Sequence, residues 1–400
     1  MTLASWIVIV GLVVPLYAYL GYPFVLFILA SFVQTARDAY YLLYRRDRRS
    51  NLQAWPRVSV IIAAYNEEKT IGRTIAHCLA LDYPPDQLEV ILGSDGSTDD
   101  TVEIAQRYEG ERVRVLPFTE RRGKLAVVRD CVGQATGDLL VFTDANTSLE
   151  FMSVRNLARH FRNPRVGAVC GELRLVTPEG KPANEGCYWR YEMILKILES
   201  RLDSVLGANG AIYAVRTSLL PSIPENTITE DFVIPMKVRA ARARVAYDPE
   251  AVAYEEVPAG VADEFRRRVR IGAGNWQALR ECSELLLPWK GFVAFAFWSH
   301  KVLRWFTPFL LPVAFLANLF LLDYPFWRAV FLAQLAFYAC ALIGNVLQAV
   351  RLPAGPLRLA SYFVAINTAL GVGFVKGAFG LQQAAWARTA RRNPSVGKEA

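Results

Sequence analysis

Residues 58 to 68 read Val-Ser-Val-Ile-Ile-Ala-Ala-Tyr-Asn-Glu-Glu, an apolar strand pattern that runs directly into a polar turn. Two further apolar runs, at 88–92 and 138–142, end in the polar turns Gly-Ser-Asp-Gly-Ser and Thr-Asp-Ala-Asn. The stretch 70–79, between the first two runs, has the pattern of a helix. This alternation predicts an α/β fold with a mostly parallel sheet between helices. Since ligands bind outside the carboxyl ends of the strands in such sheets, the three turns are expected to line one crevice.

The composition indicates a membrane protein rather than a soluble enzyme. Of the 400 residues 53% are hydrophobic, and they concentrate before Gln34 and after Pro288. A soluble domain between membrane segments is therefore expected. The net charge of +8 suits an anionic lipid surface or a phosphate-bearing substrate, and no nucleic-acid partner is expected, because no basic run is interleaved with aromatic residues. The six cysteines and three histidines lack metal-ligand spacing, which argues against a zinc site.

The N-terminal apolar segment is predicted to be one spanning helix. Residues 5–33 are almost wholly apolar, long enough to cross a hydrocarbon core of about 30 Å. A cleaved signal peptide would begin with basic residues, whereas here the basic cluster follows the segment. By the positive-inside rule this cluster places the next domain in the cytoplasm, with the chain in the inner or plasma membrane. Its members are Arg45, Arg46, Arg48 and Arg49.

The C-terminal part is predicted to hold an interfacial helix and about three spans. The stretch 289–305 is apolar but carries His300, Lys301 and Arg304, which suits a helix lying in the membrane interface. Three spans after a cytoplasmic domain would place the basic tail outside, against the positive-inside rule. Either one candidate is re-entrant, or the stretch before 322 crosses more than once, or the tail breaks the rule. The span candidates are 306–322, 327–350 and 359–379.

The chain is therefore expected to divide into six parts. Most of its charged residues fall in the third part, where the chemistry is expected. The parts are a transmembrane helix (1–35), a basic juxtamembrane linker (36–54), an α/β domain (55–287), an interfacial amphipathic helix (288–305), a C-terminal transmembrane region (306–380) and a basic tail (381–400).

Several polar positions in the α/β domain suit a phosphate-bearing ligand. Asp95 follows the second strand, where a carboxylate can accept hydrogen bonds from a nucleoside, although Asp before Gly is also common in turns. Asp144 and Asn146 stand two apart, a spacing at which two oxygens can reach one divalent cation, and an Asx turn is the alternative. Lys124 can meet phosphate as a point charge or lie on a solvated surface.

Two charged clusters lie further along the chain. Thr229-Glu230-Asp231 precedes an apolar run, and a carboxylate there can act as a base, while acids also suit a helix N-terminus. The basic run 266–270 can hold a pyrophosphate group or lipid head groups, or form a charged helix face.

In this order and at these separations, the motifs resemble those of family 2 glycosyltransferases, the group that includes cellulose, hyaluronan, chitin and poly-N-acetylglucosamine synthases. The resemblance covers about residues 55–277. It implies a GT-A fold, which is Rossmann-like, and inverting transfer of a hexosyl or N-acetylhexosaminyl group. The implied donor is a nucleotide sugar, with UDP as the nucleotide and Mg²⁺ or Mn²⁺ as the cofactor. The implied acceptor is a growing glycan or a lipid-linked molecule at the membrane lipid.

The resemblance also implies roles for single residues. Asp231 stands where the family has its general base, beside Glu230, and both are taken as catalytic. The implied metal ligands are Asp144 and Asn146. The implied acceptor-binding loop consists of Gly207, Ala208, Asn209 and Gly210. The implied donor-binding residues are Ala64, Tyr65, Asn66, Glu67, Asp95, Lys124, Asp144, Arg267 and Arg270.

Two positions depart from the family pattern. Asn146 replaces the second acid of the metal-binding Asp-x-Asp, so a neutral amide oxygen stands where a carboxylate is usual. Ile271 stands where processive synthases have a Trp on which an acceptor sugar stacks. Polysaccharide synthesis is the first expectation, and transfer of a single sugar to a lipid or lipid-linked acceptor is the alternative that Ile271 favours. A transporter with a degenerate soluble domain is disfavoured, because few charges lie inside the predicted spans.

Overall fold

A computed structural model describes residues 2–44, 55–177, 187–256, 261–350 and 352–382. The predicted arginine cluster at 45–49 and the tail from 383 onward lie outside these ranges. The chain forms two compact units, and each is described by itself. The smaller unit comprises 1–25, 260–280 and 294–382, and the larger one 26–259 and 281–293.

The strands of the larger unit form one mixed sheet, in the order β3-β2-β1-β4-β7-β6-β8-β5. The first four of these run parallel, whereas β7 is antiparallel to both β4 and β6. The turns after β1, β2 and β4 therefore lie at one edge, and the predicted α/β, GT-A-like fold is confirmed. The strands are β1 (Val58–Ala64), β2 (Leu88–Asp95), β3 (Val113–Phe118), β4 (Leu139–Asp144), β5 (Ser148–Leu149), β6 (Val166–Val176), β7 (Tyr213–Arg216) and β8 (Arg244–Glu256).

The central strand β1 is buried on both faces, which explains its unbroken apolar sequence. Every residue of β1 is buried. Val60 and Ile62 belong to one hydrophobic core, and Ile61 and Ala63 to another. Side chains alternate along a strand, so a sheet covered by helices on both faces requires apolar residues at consecutive positions.

Helices make up most of the remainder of the described chain. Two π-helical segments, Tyr17–Gly21 and Phe297–Val302, join α1 to α2 and α10 to α11. The α-helices are α1 (Leu3–Leu16), α2 (Tyr22–Tyr44), α3 (Ile71–Leu79), α4 (Thr101–Gln106), α5 (Lys124–Gly133), α6 (Ser153–Ala158), α7 (Cys187–Leu202), α8 (Glu230–Ala240), α9 (Val261–Glu281), α10 (Phe292–Ala296), α11 (Leu303–Asn318), α12 (Pro325–Ala349) and α13 (Leu357–Ala378).

Within the described residues, four helical stretches are long and apolar enough to cross a membrane. The first continues as a helix to residue 44, through the start of the linker predicted at 36–54, because no glycine or proline interrupts it there. The other three correspond to the predicted C-terminal transmembrane region. The stretches are Leu3–Leu43, Phe292–Leu321, Pro325–Ala349 and Leu357–Ala378.

The helix predicted at 288–305 does not appear with those bounds in the structure. From Phe292 the chain runs as one helical stretch to Leu321. His300 and Arg304 are buried there, and Arg304 donates from Nε to the carbonyl oxygen of Ala18 at 3.3 Å. The charges that suggested a water-facing surface are thus taken up by helix packing within the smaller unit.

Helix α9 also differs from the predicted domain boundary. It was placed in the α/β domain at 55–287, but residues 260–280 belong to the unit of membrane-length helices. A Cβ atom on Gly272 would lie 2.3 Å from the carbonyl oxygen of Leu370, and one on Gly373 would lie 1.9 Å from that of Val269. The absence of side chains at both glycines lets α9 and α13 pack backbone to backbone.

Gly93 of β2 provides a test of how closely α5 packs on the sheet. A Cβ atom there would lie 2.3 Å from Cγ1 of Val127 and 2.8 Å from Sγ of Cys131. We expect Gly93→Ala to destabilise the protein by about 1–3 kcal/mol through overpacking, seen as a lower Tm in detergent. Gly133→Ala, at the end of the same helix, meets no atom within 4 Å and should leave the Tm unchanged or higher. Equal Tm values for the two variants would contradict this packing.

Candidate functional site

Lys124 joins two carboxyl groups from distant parts of the chain. Its Nζ atom lies 2.8 Å from Oδ1 of Asp144 and 2.6 Å from Oε1 of Glu230. Lys124 begins α5, Asp144 ends β4 and Glu230 begins α8. The three side chains are 21%, 26% and 11% exposed, so the cluster is largely buried but still reached by solvent.

The two carboxyl groups keep the lysine charged. Burial by itself would lower the pKa of Lys124, but Asp144 and Glu230 outweigh burial and hold that pKa well above its usual value. Near this cluster, the ring of Tyr213 stacks on that of Phe142, with ring centroids 4.8 Å apart. Burial, reinforced by Glu230, raises the pKa of Tyr213 well above its usual value, so its phenol is neutral. The ammonium of Lys124 is therefore a fixed positive charge at the edge of the sheet.

Asp95 holds the loop from which Lys124 emerges. Its carboxylate is fully buried and accepts hydrogen bonds from the backbone N–H groups of Arg122 at 2.7 Å and Gly123 at 3.0 Å. Gly123 has φ +94, a conformation that favours glycine, and directly precedes α5. Asp95 thus acts on the loop in this structure, and its predicted contact with a nucleotide stays a prediction.

The first two polar turns are tied together through Asn66. This residue has φ +54, and its backbone N–H donates to Oγ of Ser97 at 3.1 Å. In return, the backbone N–H of Thr98 donates to Oδ1 of Asn66 at 2.8 Å. Beside them, the guanidinium of Arg121 lies 4.0 Å from the centroid of the Tyr65 ring. The turns after β1 and β2 are therefore joined by hydrogen bonds, and Arg121 of the loop before α5 contacts them.

Asn146 and Asp144 lie in the turn after β4, and their oxygens are the kind that bind hard cations. The amide nitrogen of Asn146 donates to Oε1 of Glu255 at 3.1 Å. Mg²⁺ and Mn²⁺ favour carboxylate and amide oxygens, so the donor set fits such an ion. The described residues contain no group of three or more acidic, His or Cys side chains able to hold an ion by themselves. Ligand oxygens would have to complete the coordination.

The acceptor-side loop predicted at 207–210 packs on the start of α8. The backbone N–H of Ala208 donates to the carbonyl oxygen of Asp231 at 2.8 Å. A Cβ atom on Gly210 would lie 3.4 Å from Oδ2 of Asp231, so the lack of a side chain leaves room beside this carboxylate. Asn209 is held in turn, because Nζ of Lys196 donates to its Oδ1 at 2.7 Å.

Two of the predicted site residues lie outside the larger unit. Arg267 and Arg270 lie on α9 in the other unit, where Nε of Arg267 donates to Glu264 at 3.0 Å. The sequence analysis missed Lys196 and Glu255, which contact Asn209 and Asn146 respectively. Neither belongs to a recognised motif, and only their acid or base character in the middle of the chain could have drawn attention to them.

Comparison with known families identifies the family to which the chain belongs. The profile described as "Glycosyl transferase family 2" matches residues 59–213, and that described as "Glycosyl transferase family group 2" matches residues 139–343, which is more than half of the chain. The protein therefore belongs to the family 2 glycosyltransferases.

Curated relatives are similar over part of their length. The poly-beta-1,6-N-acetyl-D-glucosamine synthase of Staphylococcus epidermidis is 28% identical over 235 residues, covering 56% of this chain and 55% of the relative. Its counterpart in Staphylococcus aureus (strain COL) is 27% identical, with 60% and 61% covered. The probable glycosyltransferase YdaM of Bacillus subtilis is 24% identical, with 59% and 60% covered. The chain thus spans about three-fifths of the length of these relatives.

A solved structure has the same fold over nearly the whole chain. The mannosyltransferase PcManGT from Pyrobaculum calidifontis, determined in complex with GDP-Man and Mn²⁺, superposes with a TM-score of 0.67. It is 21% identical, and the match covers 94% of this chain and 100% of that one. At this identity the likeness establishes the fold alone.

The role of Asp95 in holding the loop before α5 can be tested by hydrogen exchange. Asp95→Asn replaces one acceptor oxygen by an NH₂ group that faces two N–H donors, which should cost about 1.5–3 kcal/mol locally. We expect at least tenfold faster exchange of the amides in the peptide 119–124. Asp130→Asn is the control, because Asp130 contacts the same Arg122 at 2.7 Å but through its exposed guanidinium. Unchanged exchange in Asp95→Asn would contradict this role.

Proposed function

We propose that the protein is a membrane-bound, inverting glycosyltransferase that moves a sugar from a UDP-sugar to a growing glycan. The observation that carries this proposal is the placement of Lys124 between Asp144 and Glu230. Glu230 directly precedes Asp231 in the sequence. A fixed ammonium and a candidate cation ligand thus belong to the same cluster as Glu230, the neighbour of Asp231, and the carboxylate of Asp231 lies next to Gly210. These are the groups needed for a leaving diphosphate and an attacking hydroxyl.

The donor binds along the wall formed by the turns after β1 and β2. Ala64, Tyr65, Asn66 and Glu67 hold the nucleoside from one side, and Asp95 fixes the opposite loop. Lys124 meets the diphosphate as a point charge, since its pKa is held well above its usual value. Asp144 and Asn146 would hold Mg²⁺ or Mn²⁺, which would neutralise charge on the diphosphate.

The reaction is a single displacement. Asp231 takes the proton of the acceptor hydroxyl, and the hydroxyl oxygen forms a bond to the anomeric carbon of the donor. The bond from this carbon to the diphosphate breaks, and UDP leaves with the electron pair. Attack from the face opposite the leaving group inverts the configuration. Glu230 acts through Lys124, to which it is paired at 2.6 Å.

The acceptor occupies the side of Asp231 next to the loop 207–210. The synthase identity of the two staphylococcal relatives supports a glycan as the product. Ile271 supports the alternative, transfer of one sugar to a lipid or lipid-linked acceptor, because it offers no aromatic face for a sugar. Arg267 and Arg270 remain candidates for the diphosphate.

The membrane presents the acceptor and retains the product. Four stretches of suitable length and apolarity support an integral membrane protein. The arginines at 45–49 support a cytoplasmic catalytic domain, where nucleotide sugars are available.

Release of UDP from a panel of UDP-sugars tests the proposed activity. We expect turnover with at least one donor, and its loss in EDTA. Asp231→Asn should lower kcat by about 10²–10⁴, the usual contribution of a general base, with little effect on UDP affinity.

The control is Glu225→Gln, which should keep full activity. Glu225 is an exposed carboxylate that pairs with Arg129 and lies five residues before α8 in the sequence. Normal turnover in Asp231→Asn would exclude it as the base. Sizing the product separates the two acceptors, since a polymer indicates glycan extension and one added sugar indicates the alternative.

A further inference from the structure

The turn that carries Asn146 is held against the end of β8. Strand β5 pairs antiparallel with β8, and Ser148 lies opposite Tyr254 in this register. Asn146 lies two residues before Ser148, beyond this pairing, and its Nδ2 donates to Oε1 of Glu255 at 3.1 Å. Glu255 is only partly exposed. The contact joins the turn after β4 to the end of β8.

The hydrogen bond also determines which atom of the amide can meet a cation. An asparagine side chain has one acceptor oxygen and one nitrogen that only donates. Since the nitrogen is bound to Glu255, the oxygen is directed away from Glu255. The amide oxygen is the atom that a hard cation requires, and the carboxylate of Glu255 selects the rotamer that presents it.

Glu255 also changes the charge of this site. Asp144 is the carboxylate of the predicted metal pair, and its Oδ1 atom already contacts the ammonium of Lys124. With Asn146 neutral, a divalent cation would meet a single acid whose charge is shared with a lysine. Glu255 places a second carboxylate in contact with Asn146.

The next residue provides an internal comparison. Side chains at adjacent positions of a strand point to opposite faces of the sheet. Glu256 accordingly lies on the other face of β8 from Glu255, and its Oε1 lies 3.8 Å from Nη2 of Arg73 on α3. Two neighbouring glutamates at the same strand end thus contact different groups.

We propose that Glu255 and Asn146 act as one unit that replaces the second acid of the metal-binding pair. Asn146 supplies the ligand oxygen, and Glu255 orients it and supplies the missing negative charge, which makes Glu255 a positioning residue for the divalent cation on the nucleotide diphosphate. This inference rests on the proposed function, because it concerns the same donor site.

Mn²⁺ binding in the presence of UDP, followed by the electron paramagnetic resonance signal of free Mn²⁺, tests the proposal without any turnover. Glu255→Gln should weaken Mn²⁺ binding at least tenfold, whereas Glu256→Gln should stay within twofold of the wild type. The double variant Asn146→Asp with Glu255→Gln moves the carboxylate to the ligand position, and it should recover binding to within about threefold of the wild type. Each variant is also compared by Tm, so that a loss of folding is recognised.

The outcomes separate this proposal from the function on which it rests. If the wild type binds Mn²⁺ with UDP but Glu255→Gln binds it equally well, the role of Glu255 is overturned and the function stands. If Glu255→Gln is weakened and the double variant does not recover, the charge replacement is overturned. If the wild type binds no Mn²⁺ with UDP, the metal-assisted function fails, and the proposal fails with it.

Discussion

The site depends on one constraint, the pairing of a largely buried ammonium with two carboxyl groups. An amine removed from water must have anionic partners, and Lys124 finds them at the end of β4 and at the start of α8. These two elements are far apart in sequence, so the lysine links the end of β4 to the helix that carries Asp231. The buried Asp95 supports this arrangement from behind, because it holds the backbone of Gly123 immediately before Lys124.

The sheet topology explains why the polar turns after β1, β2 and β4 lie at the same edge. Strand β1 lies between β2 and β4 and runs parallel to both, so the three following turns emerge at one edge. Asn66 then closes the gap between the first two turns through Ser97 and Thr98. The turn after β4 is contacted by β8, whose Glu255 accepts a hydrogen bond from Asn146. Local hydrogen bonds thus refine a crevice whose position the strand order has already determined.

Much of this could be predicted from the sequence, because apolar runs and polar turns report local structure directly. The strand at 58–62 and the turn that follows it were recognised in this way, and the α/β fold is confirmed. The pairing of β5 with β8, and with it the contact of Glu255, could not be predicted, since it joins segments about a hundred residues apart. The helix bounds that differ from the prediction at 288–305 have a related cause. Hydropathy cannot distinguish a charge on a water-facing surface from Arg304, whose guanidinium is satisfied by a carbonyl of another helix.

A double-mutant cycle of Lys124→Met and Glu230→Gln tests whether Lys124 couples the two carboxyl-bearing elements. The thermal unfolding of the wild type, both single variants and the double variant gives the coupling free energy. Lys124→Met alone leaves two carboxyl groups without their cation, so it should be markedly destabilising, and Glu230→Gln should relieve part of that loss. We expect a coupling free energy of at least about 1 kcal/mol. Additive effects of the two substitutions would show that Lys124 does not couple these elements.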